Sequence, residues 1–430
     1  DLAEKIDQAW LTTHKTAGTL PSHFSNHATM VAGVMVAAKN DSGAVGIAYQ
    51  AKIAGYYLAN NGSDASGLGH MSNYDIANHS WGFKKDFAVS NIANGRIDTH
   101  SAMLANAQYA AGNGRGGLGT VIVTAGGNQR AKGGSAQGSM TNNNRFSIQV
   151  GASYTPGDLS TLLSSNAPFS NPGASLLISA PGNQVATTSQ VVKTDQGSIF
   201  GNQTSLIDGT SFATPIVSGI VALMLEANPN LGYRDVQAIL AASARKINDA
   251  QTQWQDNSAK FINGGGIHFS HDYGAGHIDA LAAVRLAQTW TAKNTAENEF
   301  FYSAQSAVLN QSITLTQPYS SSLALQNGVN IEHIEVDLDL DYSHFGDAVV
   351  KLISPTGTQS ILLNRPGKIP QGMTGAHVND LGDASTGKLR YTLMSTHHWG
   401  EQSGGQWTLQ VSDATDGTPL TLNSWSLRAY

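Results

Sequence analysis

The stretch "DGTSFATPIVSGIVALMLEANPNL", Asp208 to Leu231, decides how the chain is read. From Phe212 to Ala227 almost every position is apolar or small. Ile216, Ile220 and Leu223 share one helical face, and Val217, Val221 and Met224 share the next. A helix that is apolar all round is normally buried. Pro229 closes it, because proline cannot continue a helix. Yet this buried helix opens on a polar knot, Gly209-Thr210-Ser211. One reading is a cap, in which the Ser hydroxyl accepts an orphan backbone N–H. The other is a nucleophile held at the positive end of a helix.

Working outward, the first part of the chain alternates helical and strand patterns. His27–Ala38 reads as a helix, Ala51–Ala59 as a buried strand and Asp75–Trp81 as a short strand. "HSAMLANAQYAAGNG" is a helix ended by Gly112, followed by "GTVIVTAGGN", an apolar strand that stops in glycines. "FSIQVGA" and "SLLISAPG" are further strands, and "YRDVQAILAASARKI" a further helix. Strands alternating with helices predict a parallel sheet covered on both faces. After Trp290 the period changes to two. "ITLTQP", "IEHIEVDLDLDY", "DAVVKLISPTGT", "QWTLQVSD" and "SWSLRAY" read as strands separated by Gly- and Pro-containing turns. That pattern predicts an all-β, jelly-roll-like sandwich. The expected organisation is an α/β domain over 1–290, a linker over 291–303 and a β domain over 304–430.

Composition narrows the class. The chain has 430 residues, long for one domain, with 13% charged residues, 46 Gly and a net charge of −6. There is no basic footprint for nucleic acid. No apolar run approaches the ~18 residues of a transmembrane span. Cysteine is absent, so disulfides and thiolate metal sites are excluded. A neutral, hydroxyl-rich, turn-rich chain fits a secreted protein; the absence of Cys leaves the compartment open, since many bacterial secreted proteins lack it, and a secreted bacterial protein is expected. The abrupt start at "DLAEKIDQAW" reads as a processed or truncated N-terminus.

Three short motifs sit at the ends of regular elements. His27-Ala-Thr-Met-Val-Ala-Gly33 opens a helix, Thr124-Ala-Gly-Gly-Asn128 ends a strand, and Gly209-Thr-Ser-Phe-Ala-Thr-Pro215 opens the buried helix. In parallel α/β sheets ligands gather at the carboxyl ends of strands. His can remove the proton that makes a Ser hydroxyl a weak nucleophile. An Asn amide and the Ser N–H can donate to an oxyanion. Each motif alone has a plain structural reading, as a hydrogen-bonded His, a Gly-rich turn or a cap.

Together, in this order, they resemble the subtilisin-like serine proteases (subtilases). The family's H-G-T-x-V-A-G is matched with Ala28 for the first Gly, and its G-T-S-x-A-x-P is matched in full. "SWG" (Ser80, Trp81, Gly82), "SAPG" and "DYGAGHIDA" are further family landmarks. "HFGDAVVKLISPTGTQSILL" and "WGEQSGGQWTLQVSD" resemble the P domain of kexin- and furin-like proprotein convertases. The resemblance implies a subtilisin-like parallel sheet flanked by helices, followed by a β-sandwich P domain. It implies a serine endopeptidase in which Ser211 attacks, His27 is the base, and Asn128 with the Ser211 N–H binds the oxyanion. Ser80, Trp81, Gly82, Gly126 and Gly127 would then bind protein or peptide substrate. A pro-segment or chaperone would be a partner. The competing reading is a catalytically impaired subtilase acting as a binding protein. An α/β-hydrolase esterase is disfavoured, because Ser211 lacks a G-x-S-x-G elbow.

The sequence also departs from the family. Its catalytic Asp lies in a D-[STD]-G turn upstream of the His, and no such turn precedes His27. Asp1-Leu2 resembles the H-P-D-L segment that follows that Asp, so the triad Asp is expected upstream of residue 1. Asp7 is the weaker alternative. Convertases line their pockets with acids, whereas "SWGFKKD" carries two lysines before Asp86. The loop after Asn128 adds Arg130, Lys132 and Arg145. An apolar or neutral residue is therefore expected at the cleavage site. The loop Ala38–Tyr49 lies where the family holds a structural Ca²⁺, with Asp1, Asn40, Ser42 and Ala44 as matching oxygen ligands; an ordinary turn is the other reading. His268, His271 and His277, and the pair in "THHWGE", are expected to be surface histidines rather than a zinc site. Asp337, Asp339 and Asp341 are expected on a solvated edge rather than around Ca²⁺.

Overall fold

The structure is a computed structural model. It describes the whole chain except residues 11, 13–24, 57, 59–65, 84–85, 88–98, 140, 154–168, 195–196, 248–252, 260–264, 315–316, 372, 374 and 416–418. The α/β part is built on a parallel sheet in the order β1 (Ile76–His79), β2 (Val121–Ala125), β3 (Ser147–Ser153), β4 (Ile178–Pro181). Every residue of β2 and β3 is buried, as expected for strands covered on both faces. Helices α1 (Asn26–Val36), α2 (Thr99–Asn113), α3 (Thr210–Ala227), α4 (Tyr233–Ser243) and α5 (Ala280–Thr289) surround it. Helix α3 packs against β1 to β4 and α5, which is why it is apolar all round. Ile122, Ile148, Val150, Val217, Val221 and Met224 form the centre of that core.

In the β part only Ile313 of "ITLTQP" lies in a strand, residues 315–316 being outside the described ones. In the α/β part the predicted helices and sheet strands fall in place, with one exception. Ala51–Ala59 is not a strand among its described residues: Ile53 makes a single bridge to Ile6. A ladder needs a neighbour of matching length, and Lys5–Asp7 offers only that one pair. Two short strands, β7 (Gln255–Asp256) and β8 (His268–Phe269), pair at the edge of the α/β part. Before them runs an element the sequence reading missed, the antiparallel hairpin β5 (Val185–Thr194) and β6 (Gly197–Ile207). It clamps α1: Thr187 Oγ1 donates to Met30 O at 2.5 Å, and Asn26 Nδ2 donates to Ser189 Oγ at 3.2 Å.

The β part is a sandwich of two antiparallel sheets. One runs β10 (Gln311–Ile313), β17 (Leu420–Ala429), β12 (Ile334–Tyr342), β15 (Gly387–Ser395), with β9 (Tyr302–Gln305) also on β17. The other runs β11 (Tyr319–Leu325), β16 (Gly405–Asp413), β13 (Ala348–Ile353), β14 (Gln359–Asn364). Residues alternate buried and half-buried along β13, and the inward set, with Trp407, Trp425 and Tyr391, fills the space between the sheets.

Three expectations are corrected here. Strand β12 is no edge, since β17 and β15 flank it. Its aspartates form cross-strand ion pairs: Asp337 with Arg428, Asp339 with Arg390 at 3.1 Å, and Asp341 with Lys388 at 3.2 Å. The histidines are not on the surface: His277, His397 and His398 are buried, and His271 packs on His397 with ring centroids 4.6 Å apart. His271, His397 and His398 lie where the two parts meet, and His277 is buried within the α/β part, against Ser153 and Arg245. Finally, α3 has 18 residues and is long and apolar enough to cross a membrane by length and composition, the one such helix among the described residues. Its apolar surface is spent on the sheet it covers.

Candidate active site

Helix α3 starts from Gly209, whose φ of +140° is a conformation that side chains rarely adopt, and no side chain caps it. Ser211 is the second helical residue and is not the cap. Its Oγ donates to the carbonyl of Ser80 at 3.3 Å. Pro215 lies one turn further on and has no N–H to give the Ser211 carbonyl. Ser80 fills that vacancy: its Oγ donates to Ser211 O at 2.8 Å. The residue after β1 and the mouth of α3 are thus tied by two reciprocal bonds.

Asn128 comes to the same place from β2. The strand ends at Ala125, and Gly126-Gly127-Asn128 continues past it. The Asn128 Oδ1 accepts both the Thr210 N–H and the Thr210 hydroxyl, each at 2.9 Å. The Gly127 N–H in turn donates to Thr210 Oγ1 at 3.2 Å. With its oxygen held twice, the amide is fixed in one orientation, and Nδ2 lies beside Gly209, 3.4 Å from where a Cβ would stand. Thr210 is a site residue the sequence reading passed over, although it sits inside the quoted motif.

His27 is the second residue of α1, after the cap Ser25, whose Oγ accepts the Ala28 N–H at 3.1 Å. Its ring meets Phe212, the neighbour of Ser211, edge-on at 5.5 Å. Phe212 is seated on Met30, Val31 and Val34 of the same helix. The imidazole is open to solvent on its other side, and its partial burial lowers its pKa below the usual 6.5. Among the described residues no hydrogen bond joins His27 to Ser211, and no carboxylate bonds the His27 ring. Resting sites are often looser than reacting ones. Asp7 caps its own turn, accepting the Trp10 N–H at 2.8 Å.

Around these groups, Trp81 stacks tilted on His79 at 5.3 Å, and Gly82 is exposed. Lys84 and Lys85 lie outside the described residues. Asp86 accepts the Ser135 N–H at 2.7 Å, and burial pushes its carboxyl up to about 6. Its neighbour Phe87 meets Phe345 and Tyr391 of the β part edge-on, at 5.6 and 5.2 Å. The arginines expected to colour the pocket are paired elsewhere: Arg130 with Asp272, and Arg145 with Glu299 and Glu335. At the N-terminus, Asp1 Oδ1 accepts from Asn40 Nδ2 at 3.2 Å and Oδ2 from Thr188 Oγ1 at 2.9 Å. A side chain at Gly43 would strike that carboxylate.

The subtilase family model matches residues 3–276, and the proprotein convertase P-domain model matches 331–429. The chain belongs to the subtilase family. Protease KEX1 of Kluyveromyces lactis is 30% identical over 94% of the chain and 50% of the relative. Human proprotein convertase subtilisin/kexin type 6 is 31% identical over 95% of the chain and 40% of the relative. Rat furin is 29% identical over 94% and 48%. The chain thus spans about half the length of the curated relatives it matches. A serine protease of Aeromonas sobria, solved in complex with a chaperone, shares the fold at a TM-score of 0.73 and 23% identity, covering 94% of this chain and 80% of that one. This is a kexin-like subtilase with a C-terminal P domain. The expected bacterial origin is not upheld, because these curated relatives are yeast and mammalian convertases.

Proposed function

We propose that this subtilase is a serine endopeptidase acting on protein or peptide substrates. The observation that carries the reading is the Asn128 amide, locked by Thr210 beside the mouth of α3 where Ser211 stands. Ser211 Oγ attacks the scissile carbonyl, and His27 takes its proton and returns it to the leaving amine. Asn128 Nδ2 and the Ser211 N–H hold the oxyanion, and collapse of the tetrahedral adduct leaves an acyl-enzyme that water hydrolyses. Ser80, Trp81 and Gly82 on one side and Gly126 and Gly127 on the other hold the substrate backbone as an added strand. A fluorophosphonate probe should label the protein, and Ser211→Ala should abolish labelling and lower kcat by roughly 10⁶-fold. Equal labelling of both proteins would overturn the assignment.

The lack of a carboxylate on the His27 ring among the described residues favours a second reading, a catalytically impaired subtilase that binds rather than cleaves. In that case the probe would leave Ser211 unlabelled while peptides still bind.

The cleavage preference belongs to the same proposal. Asp86 is committed to the Ser135 N–H, and its neighbour Phe87 to the wall of the β part, so among the described residues this segment offers no free acid for a basic side chain. An apolar or neutral residue is expected at the cleaved bond, and dibasic cleavage in a peptide library would refute this. The oxygen-rich loop around Asp1, Asn40, Ser42 and Ala44 suits a structural Ca²⁺, a hard cation that takes carboxylate, amide and carbonyl oxygens. The Asn40 amide nitrogen now contacts the carboxylate that such an ion would bind. A melting temperature unmoved by chelator would exclude it. We place the α/β domain at 1–290, the linker at 291–303 and the β domain at 304–430; α5 ends at Thr289, next to the first limit, while β9 begins at Tyr302, two residues inside the linker. Limited proteolysis tests those limits. A pro-segment or chaperone is the folding partner in this reading, as the Aeromonas sobria protease was solved with a chaperone. Refolding of the isolated chain without help would argue against one.

A further inference from the structure

The loop from Ser135 to Asn144 carries four consecutive side-chain amides or hydroxyls, Thr141-Asn142-Asn143-Asn144, all buried. Buried amides must find partners, and where they find them is informative. The single nitrogen of Asn142 donates to Trp81 O at 2.9 Å and to Ala125 O at 2.7 Å. Trp81 belongs to the Ser80-Trp81-Gly82 arm, and Ala125 immediately precedes the Gly126-Gly127-Asn128 arm. One planar NH₂ group therefore bridges the two arms between which an extended peptide would lie. Its Oδ1 accepts from Thr141 Oγ1 at 3.0 Å, so the amide cannot turn over without losing all three bonds.

The bridge is anchored from the β part. Gln137 is fully buried, and its side chain pairs with the backbone of Met394 in β15: Nε2 donates to Met394 O at 2.6 Å and Oε1 accepts the Met394 N–H at 3.1 Å. The Gln137 carbonyl accepts the Tyr391 hydroxyl at 2.7 Å and Asn143 Nδ2 at 3.3 Å, and Asn143 also reaches Thr392 O at 3.3 Å. Strand β15 thus grips the loop on one side, and the loop grips both arms of the cleft on the other.

We propose that Asn142 is a positioning residue that sets the spacing of the two substrate-binding arms, with Gln137 coupling that spacing to strand β15. The inference rests on the peptide-cleft reading above, but not on catalysis. Among uncharged side chains only an amide supplies two donors from one atom in a plane. Asp at this position would set a carboxylate against two carbonyls, and Ser keeps one donor at best. The arms touch the substrate along its length, so extended substrates depend on the spacing more than small ones do.

The test uses the full-length protein. Binding of a set of extended hexapeptides is measured in a Ser211→Ala background, with and without Asn142→Ala. The second substitution should weaken binding at least tenfold, with Asn142→Ser between the two. In the Ser211-containing protein, Asn142→Ala should raise KM for the hexapeptide by a similar factor. Labelling by the small fluorophosphonate probe should stay within threefold, with rates normalised to labelled, folded molecules. Gln137→Ala, which leaves both arm contacts in place, should give the same pattern more weakly. Unchanged hexapeptide binding overturns the proposal, as does a parallel loss for peptide and small probe, or failure of the parent to bind any hexapeptide. If the parent binds peptides and Asn142→Ala weakens them but no cleavage occurs, only the proteolytic reading falls. If Asn142→Ala does not fold, the Asn142→Ser and Gln137→Ala proteins decide by the same readouts.

Discussion

The junction between the two parts and the outer face of the β sandwich both carry ionisable side chains, but they hold them in opposite ways. On the outer face, Asp337, Asp339 and Asp341 of β12 stand beside Arg428, Arg390 and Lys388 of the neighbouring strands, with water on one side. At the junction, His271, His397 and His398 are enclosed, and His277 is enclosed close by in the α/β part. His271 Nε2 accepts the Ile361 N–H at 3.4 Å, and His277 Nδ1 pairs with the Ser153 hydroxyl at 2.7 Å. A ring that accepts a backbone N–H has to be neutral. Charge survives where solvent or a counter-ion supports it, and burial removes it elsewhere. The β sandwich can afford charged strands only on the face that its partner sheet does not cover.

Acid should break the junction first, with the largest effect. Burial holds His271 and His277 down to about 4, against an ordinary 6.5. For His271 the adjacent Asp272 opposes that shift, and for His277 Arg245 adds to it while Asp279 opposes it. A histidine with a depressed folded pKa contributes its full stability above the unfolded value. The contribution drains away as pH falls from 6.5 towards 4, because the unfolded chain takes up the proton and the folded one does not. The loss is on the order of 3 kcal/mol per histidine across that window. Urea unfolding at pH 7.5, 5.5 and 4.5 should show a steep fall, flattened by His271→Phe. A stability that stays level to pH 4.5 would contradict the neutral, enclosed junction.

Next in size is Glu401, the one buried acid beside these histidines among the described residues. Burial alone would raise its pKa. Hydrogen bonds from His398 at 3.3 Å, Thr358 and the Ser258 N–H at 2.8 Å outweigh burial and hold it below the usual range. Glu401→Ala should cost about 3 kcal/mol in urea unfolding, since it strands several buried donors together. Glu401→Gln, which keeps one acceptor, should cost less.

The mouth of α3 belongs with the junction: Thr210 is buried and bonded on every side. Thr210→Val keeps the shape and removes the hydroxyl that fixes Asn128. We expect kcat to fall roughly 10- to 100-fold with little change in KM, somewhat less than removal of an oxyanion donor itself. An unchanged kcat would mean that the Thr210 N–H suffices to orient the amide.

How much of this was legible follows the same division. The period of the apolar residues placed α1 to α4, the parallel strands and the change to a β sandwich, because burial of a face leaves a periodic mark. His27, Asn128 and Ser211 stand out as candidates because each sits at the start or end of a regular element in a short motif. Strand β15 and the hairpin β5–β6 went unread. "GKLRYTLMS" and "VATTSQVVKT" mix charge and hydroxyls into the strand pattern, and their pairing is decided by distant neighbours. The histidines were misplaced on the surface for the same reason. A histidine looks alike in sequence whether water or a distant part of the chain covers it: His271 meets Ile361, 90 positions on, and His277 meets Ser153, 124 positions back.

The exposed ladder sets the lower bound of the comparison. Lys388 and Asp341 lie 3.2 Å apart, but the lysine side chain is 61% exposed and the aspartate 36%. An ion pair that open gains little beyond what water already gives each partner, and holding two long side chains in register costs entropy. Lys388→Gln should therefore change stability by no more than about 0.5 kcal/mol. At ~1 M salt, where the screening length falls to ~3 Å, the difference should vanish. A loss comparable to that of Glu401→Ala, or one indifferent to salt, would mean that the outer face is enclosed in solution and that burial does not separate the two regions.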